Sequence, residues 1–118
     1  MSIDIGIPEE GRLAVVDFLR SLLADEFTLY LKTRNFHWNV VSLNFIELHK
    51  LFESQYEALD DVVDEVAERI RSLASWAPAG LAEYQSLARL EDAPEGLNAA
   101  AMIAALLSDH QTLARNLR

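Results

Sequence analysis

At 118 residues the chain is long enough for one domain with a real core and too short for two. Cysteine is absent, which excludes disulfide frameworks and thiolate metal sites, fits a reducing cytoplasm, and leaves oxygen and imidazole as the donors for any metal. A formal net charge of −9 repels nucleic acid over much of the surface, and no apolar run approaches the ~18–20 residues of a membrane span.

Met1-Ser2-Ile3-Asp4-Ile5 carries no basic segment or long apolar stretch, so no secretory signal is read there. Pro8, Glu9 and Glu10 suit a first helical turn, where proline loses no needed hydrogen bond and acids complement the dipole. Leu13, Val16, Leu19, Leu22, Leu23, Phe27 and Tyr30 then recur at three- and four-residue spacing, which predicts a helix to about Asn35. Residues 39–44 read as a turn with Asn and Ser available as caps.

A second helix is expected over about residues 45–73. Leu48, Phe52, Tyr56, Leu59, Val63, Val66 and Ile70 form its stripe, and no Gly or Pro interrupts it. Ala77-Pro78-Ala79-Gly80 breaks the pattern, residues 81–88 suggest a short connecting helix, and Glu91-Asp92-Ala93-Pro94 is a second break. A third long helix is expected over about residues 97–117, with Met102, Leu106, His110, Leu113 and Leu117 buried. The fold class is therefore all-α, a single helical-bundle domain over residues 1–118 with three long helices and a fourth missing. Either a neighbouring molecule covers the third long helix or the chain is a shortened version of a longer protein.

The chemistry concentrates on the second helix. His49, Glu53, Asp64 and Glu68 fall within a sector of roughly 100°, so one helix face can present all four. Glu53 and Asp64 are nevertheless about 16 Å apart along the axis, whereas metal–ligand bonds are about 2.0–2.2 Å long. One helix cannot close such a site on one ion. Two antiparallel copies crossing near Ala58-Leu59 can, because His49 and Glu53 of one then face Asp64 and Glu68 of the other, giving two identical sites about 22 Å apart along the axis.

Asn35-Phe36-His37-Trp38-Asn39 supplies a further imidazole twelve residues before His49. Residues 29–40 (Leu-Tyr-Leu-Lys-Thr-Arg-Asn-Phe-His-Trp-Asn-Val), Phe45, Leu48-His49 and Asp64-Glu65-Val66-Ala67-Glu68-Arg69-Ile70-Arg71 together resemble the Dps family, the miniferritins of bacteria and archaea. The likeness begins at Ile5-Gly6-Ile7 and covers essentially the whole chain. It implies a ferritin-like four-helix bundle and a hollow dodecamer that oxidises ferrous iron, preferably with hydrogen peroxide, and stores ferric mineral. It also implies a metal centre between two-fold-related subunits, with His37, His49 and Glu53 from one chain and Asp64 and Glu68 from the other. Glu53 stands where the family more often has aspartate, and Trp38 matches an aromatic beside the centre. Two departures stand out: the family's fourth helix is missing, and residues 1–8 contain no Lys or Arg, so DNA binding through a basic N-terminus is not expected.

Plainer roles compete for each residue. His37 suits a helix C-terminus, and Trp38 suits a core. Asp64 and Glu68 are alternative partners for Arg69, Arg71 or Lys50, and solvent exposure suffices for Asp60 and Asp61. His110 reads as structural. The expected activity is oxidation of Fe(II) to Fe(III) by peroxide or oxygen at a site shared within a homo-oligomer, with zinc or manganese as substitutes for iron. The alternatives are a DNA-protecting protein or a structural helical oligomer.

Overall fold

The computed structural model describes residues 8–117. It contains α1 (Glu9–Asn39), α2 (Phe45–Ser72), α3 (Leu81–Leu87) and α4 (Ala99–Asn116), with no strand among the described residues. Three long helices and one short one appear where the hydrophobic periods placed them. The readings of the N-terminal segment and of Ile5-Gly6-Ile7 fall on residues 1–7, outside the described residues. No helix of the described residues is long and apolar enough to cross a membrane.

α1 continues four residues past the expected end. Nothing from Asn35 to Asn39 breaks a helix, and the Asn39 amide reinforces the last turn by donating to the Asn35 carbonyl at 3.0 Å. The Val40 N–H still bonds the Phe36 carbonyl before the chain turns extended at Val40 (ψ 134°). The extra turn brings His37 onto the helix. Asn44 occupies the cap position of α2 without a side-chain cap bond, while Ser42 Oγ accepts the Asn44 N–H at 3.1 Å and tightens the turn. α4 begins with a true cap, Asn98 Oδ1 accepting the Ala101 N–H at 2.8 Å.

α1 is the central element and packs against α2, α3 and α4. The main core joins Leu22, Leu29 and Phe36 of α1 to Phe52 and Leu59 of α2 and to Met102, Leu106 and Leu113 of α4. A second cluster joins Val16 and Leu23 to Ile70 near the other end of the α1–α2 pair. Each such side chain contributes roughly 1.5–3 kcal/mol relative to an exposed one.

Charged groups share the inward stripe of α1. Leu22, Asp25, Leu29, Lys32 and Phe36 follow at three- and four-residue steps, and all five are buried. Asp25 accepts the backbone N–H groups of Arg89 and Leu90 at 2.5 and 3.0 Å and the Arg89 Nε at 3.1 Å, pinning the segment after α3. Lys32 Nζ meets Asp109 Oδ2 at 2.7 Å and ties α1 to α4.

Three expected core positions are exposed. His110 lies outside the core of α4 because Met102, Leu106, Asp109 and Leu113 form its inner row and His110 is a further 100° round the helix, whereas Leu117 follows the last helical residue, Asn116. Leu13 is exposed as well. Its neighbour Arg12 takes the inward position, with the guanidinium donating to the Leu73 carbonyl at 3.0 Å.

Candidate metal centre

The five-residue elbow between α1 and α2 folds His37, in the last turn of α1, onto His49, in the early part of α2. Their rings stack with centroids 3.6 Å apart and planes inclined by 18°. Each ring is held by the other residue's backbone. His37 Nδ1 lies 2.7 Å from the His49 carbonyl oxygen, and His49 Nδ1 lies 2.8 Å from the His37 carbonyl oxygen. A carbonyl only accepts, so in both rings Nδ1 carries the proton, and in the neutral imidazole Nε2 presents its lone pair. Fixing the tautomer through the distal nitrogen is how proteins orient imidazole ligands for a metal. The donor chemistry of this pair therefore fits a divalent cation.

Aromatic rings brace the pair on both sides. Phe45 stacks on His49 at 5.0 Å, and Tyr56 meets His37 edge-on at 5.2 Å. His37 is buried and His49 half-buried, so the pair sits at the edge of the packed interior. Trp38, whose plainer reading was a core position, is instead 59% exposed, with the Arg34 guanidinium 5.6 Å from its ring. As the residue after His37, it projects 100° away from the inward stripe.

The remaining predicted donors do not join the histidines within one chain. Glu53 is half-buried, one turn beyond His49, whereas Asp64 and Glu68 are exposed farther along α2. Among the described residues no three His, Cys, Asp or Glu side chains gather into a group able to hold a metal. Nor do Glu53, Asp64 and Glu68 make an ion pair there, so the competing role of Asp64 and Glu68 as partners of Lys50, Arg69 or Arg71 is not seen. Arg71 instead lies over Trp76, 4.2 Å from its ring. Asp60 and Asp61 are exposed, in keeping with the plain solvated reading.

Sequence reasoning passed over four buried ionisable groups of α1, of which Arg12 is described above. Asp25 and Lys32 are accounted for by the ties described above. Glu26 is 8% exposed, and its carboxyl is held above the usual carboxylate range, first by burial and then by the charge of Asp25. The signal for Asp25 and Lys32 was present in their spacing, since both continue the row of Leu22, Leu29 and Phe36. A cavity of about 430 Å³ lies between α1 and the α3 region, lined by Phe27, Leu31, Tyr84 and Leu90 among others, and none of the five candidate donors borders it.

The ferritin-like domain family matches residues 16–118. A DNA protection during starvation protein of Brevibacillus brevis is 35% identical over 104 residues, which are 88% of this chain and 70% of that protein. The chain belongs to the Dps family of ferritin-like proteins. A low temperature-induced protein of Nostoc sp. is 40% identical over 117 residues, 98% of this chain and 65% of that relative, so the chain spans about 65% of that relative's length. The crystal structure of a Dps protein from Vibrio cholerae, described as a member of a broad superfamily of ferritin-like diiron-carboxylate proteins, superposes with a TM-score of 0.92 at 26% identity. That superposition covers 98% of this chain and 74% of the Vibrio chain. Dps membership agrees with the all-α, ferritin-like expectation read from the motif around His37 and His49.

Proposed function

We propose that this Dps-family chain supplies half of a ferroxidase centre that two antiparallel copies complete, oxidising Fe(II) to Fe(III) with hydrogen peroxide or oxygen. The reciprocal clamp on His37 and His49 carries this reading. It leaves two oriented imidazole nitrogens with no third ligand gathered around them among the described residues. His37, His49 and Glu53 serve as donors from one copy, and Asp64 and Glu68 serve from the other.

Ferrous iron is the substrate, and mixed nitrogen–oxygen ligation leaves coordination positions for an oxidant. The carboxylates supply negative charge that favours the ferric product over the ferrous substrate. The clamped imidazoles bind in their neutral form, so acid weakens binding. Zinc and manganese accept the same donors and serve as redox-inert or substitute probes. The required assembly is a two-fold pair in the cytoplasm. A dodecameric shell adds storage capacity without altering the oxidation step. Protection of DNA, named for the Brevibacillus relative, follows here from consuming iron and peroxide, because the net charge of −9 disfavours direct contact with phosphates.

Mixing variant chains tests the shared site. His49→Ala and Glu68→Ala homodimers should each lose fast iron oxidation, seen as growth of the ferric absorbance, by a factor of at least about 10². The mixed heterodimer should regain one intact centre and about half of the wild-type rate per dimer. Absence of recovery in heterodimers confirmed by native mass spectrometry refutes a site built from two chains.

A further inference from the structure

Away from the histidine pair, the cavity between α1 and the α3 region has walls that the fold fixes in place. Tyr84 of α3 stacks on Phe27 of α1 with ring centroids 4.8 Å apart, and its hydroxyl donates to the Pro78 carbonyl at 2.6 Å. The wall after α3 is held by buried Asp25, which accepts the Arg89 and Leu90 N–H groups at 2.5 and 3.0 Å and so positions the neighbouring Glu91 and Asp92. The space enclosed is about 430 Å³, within the roughly 300–1,000 Å³ of ordinary small-molecule sites.

The chemistry of this cavity is one-sided. Phe27, Leu31, Tyr84 and Leu90 give it an apolar wall. Glu91 and Asp92 are its charged lining, no Lys or Arg among the described residues borders it, and neither acid makes an ion pair there. Thr28 also lines it, but its hydroxyl proton is committed to the Ala24 carbonyl at 2.8 Å, as that of Tyr84 is to Pro78. Both hydroxyl oxygens are left as acceptors, and of the lining side chains the Gln85 amide alone keeps free donors. An anion is repelled by the two carboxylates, and a neutral ligand gains nothing from them. A cation bearing N–H donors satisfies the acceptors, while an aromatic body covers the apolar wall.

We propose that this cavity binds an organic cation, a primary ammonium carrying an aromatic ring. The ring lies against Phe27, Leu31 and Tyr84, and the ammonium meets Glu91, Asp92 and the Thr28 oxygen. None of the five candidate metal donors borders the cavity, so the site is independent of the ferroxidase reading. The net charge of −9 gathers cations of every kind near the surface, and the apolar wall selects organic ones from among them. Because Glu91 and Asp92 are exposed, their contribution is modest and sensitive to salt.

Isothermal titration calorimetry on the full chain tests the assignment with probes that share an indole ring: tryptammonium, the uncharged indole-3-ethanol and the anionic indole-3-propionate. Tryptammonium should bind at least about fivefold more tightly than the alcohol at low salt, with the propionate weaker still. Glu91→Gln combined with Asp92→Asn, both at exposed positions, should make the ammonium and the alcohol bind alike. Leu31→Trp, which fills the cavity, should weaken tryptammonium at least about tenfold without lowering the melting temperature. Nuclear Overhauser contacts should join the indole to the Phe27 and Tyr84 rings. Absence of tryptammonium binding at ~1 mM overturns the proposal, as does equal affinity for ammonium and alcohol in the wild type. Binding indifferent to Leu31→Trp overturns it as well. Repeating the titration across protein concentrations, with sedimentation velocity to follow assembly, adds a further arm: tryptammonium binding lost as dimers form would give the cavity to a second copy and refute a small-molecule site.

Discussion

α1 and α2 both carry charged side chains on an inward or site-facing stripe, and the fates of those charges differ. On α1, Asp25 and Lys32 are buried, and each is closed off inside the chain, Asp25 by the segment after α3 and Lys32 by Asp109 of α4. On α2, Glu53, Asp64 and Glu68 share the His49 face yet make no ion pair among the described residues, and Asp64 and Glu68 are exposed. Charge and helix position alone do not separate structural from ligand-binding acids. Burial with a partner inside the fold marks Asp25 and Lys32 as structural, whereas the unpaired state of Glu53, Asp64 and Glu68 among the described residues is shared with the solvated Asp60 and Asp61.

Lys32 is where that contrast breaks with the largest change in stability. Lys32→Met leaves Asp109 nearly buried without its cation, which should cost about 3–5 kcal/mol in urea unfolding. Lys32→Met with Asp109→Leu should recover most of that loss. A single-variant cost below about 1 kcal/mol would place the pair with solvated surface bridges and erase the distinction. On the other helix, Asp64→Asn and Glu68→Gln should each leave stability within about ±0.5 kcal/mol. The same variants should weaken zinc binding at least about tenfold, or about 1.4 kcal/mol, in calorimetry. Stability losses at Asp64 or Glu68 comparable to those at Lys32 would show both helices using their charges for the fold.

The smallest expected effect belongs to Glu26, which sharpens the comparison from within α1. Burial raises its carboxyl above the ordinary value, so the folded chain holds that proton more tightly than the unfolded chain. The stability this lends is complete below the unfolded value of ~4.3 and is lost as pH rises through the folded value. Glu26→Gln should therefore melt higher than wild type at about pH 8 and alongside it at about pH 4. Equal melting at both pH values would mean that Glu26 is not buried as described.

Periodicity was enough to find the four helices, because long apolar rows such as Leu48, Phe52, Tyr56 and Leu59 have one reading at a 3.6-residue repeat. Ends were harder. Asn35 to Asn39 contains no glycine or proline, and the Asn39–Asn35 bond that holds the last turn is invisible until the turn exists. The polar interior of α1 lay on a legible row, but the burial of its charges was hidden for a different reason. Charged residues are usually exposed, and the partners that reverse this for Asp25 and Lys32 lie 64 and 77 positions away. Asp109 also displaced His110 from the expected row, which a count of apolar residues cannot foresee. The proposed shared centre rests on a spacing argument, since the ~16 Å between Glu53 and Asp64 is more than one ion can span. The mutual hold of His37 and His49 was not legible, because it runs through backbone carbonyls that carry no residue identity.

That mutual hold gives the elbow a dynamic signature. Each imidazole proton is sheltered by a carbonyl from the opposite helix end, so a hinge-like opening of residues 40–44 exposes both protons in a single event. Nitrogen-15-edited spectra of the two rings should find their solvent-exchange rates matched, and that common rate is how often the hairpin parts.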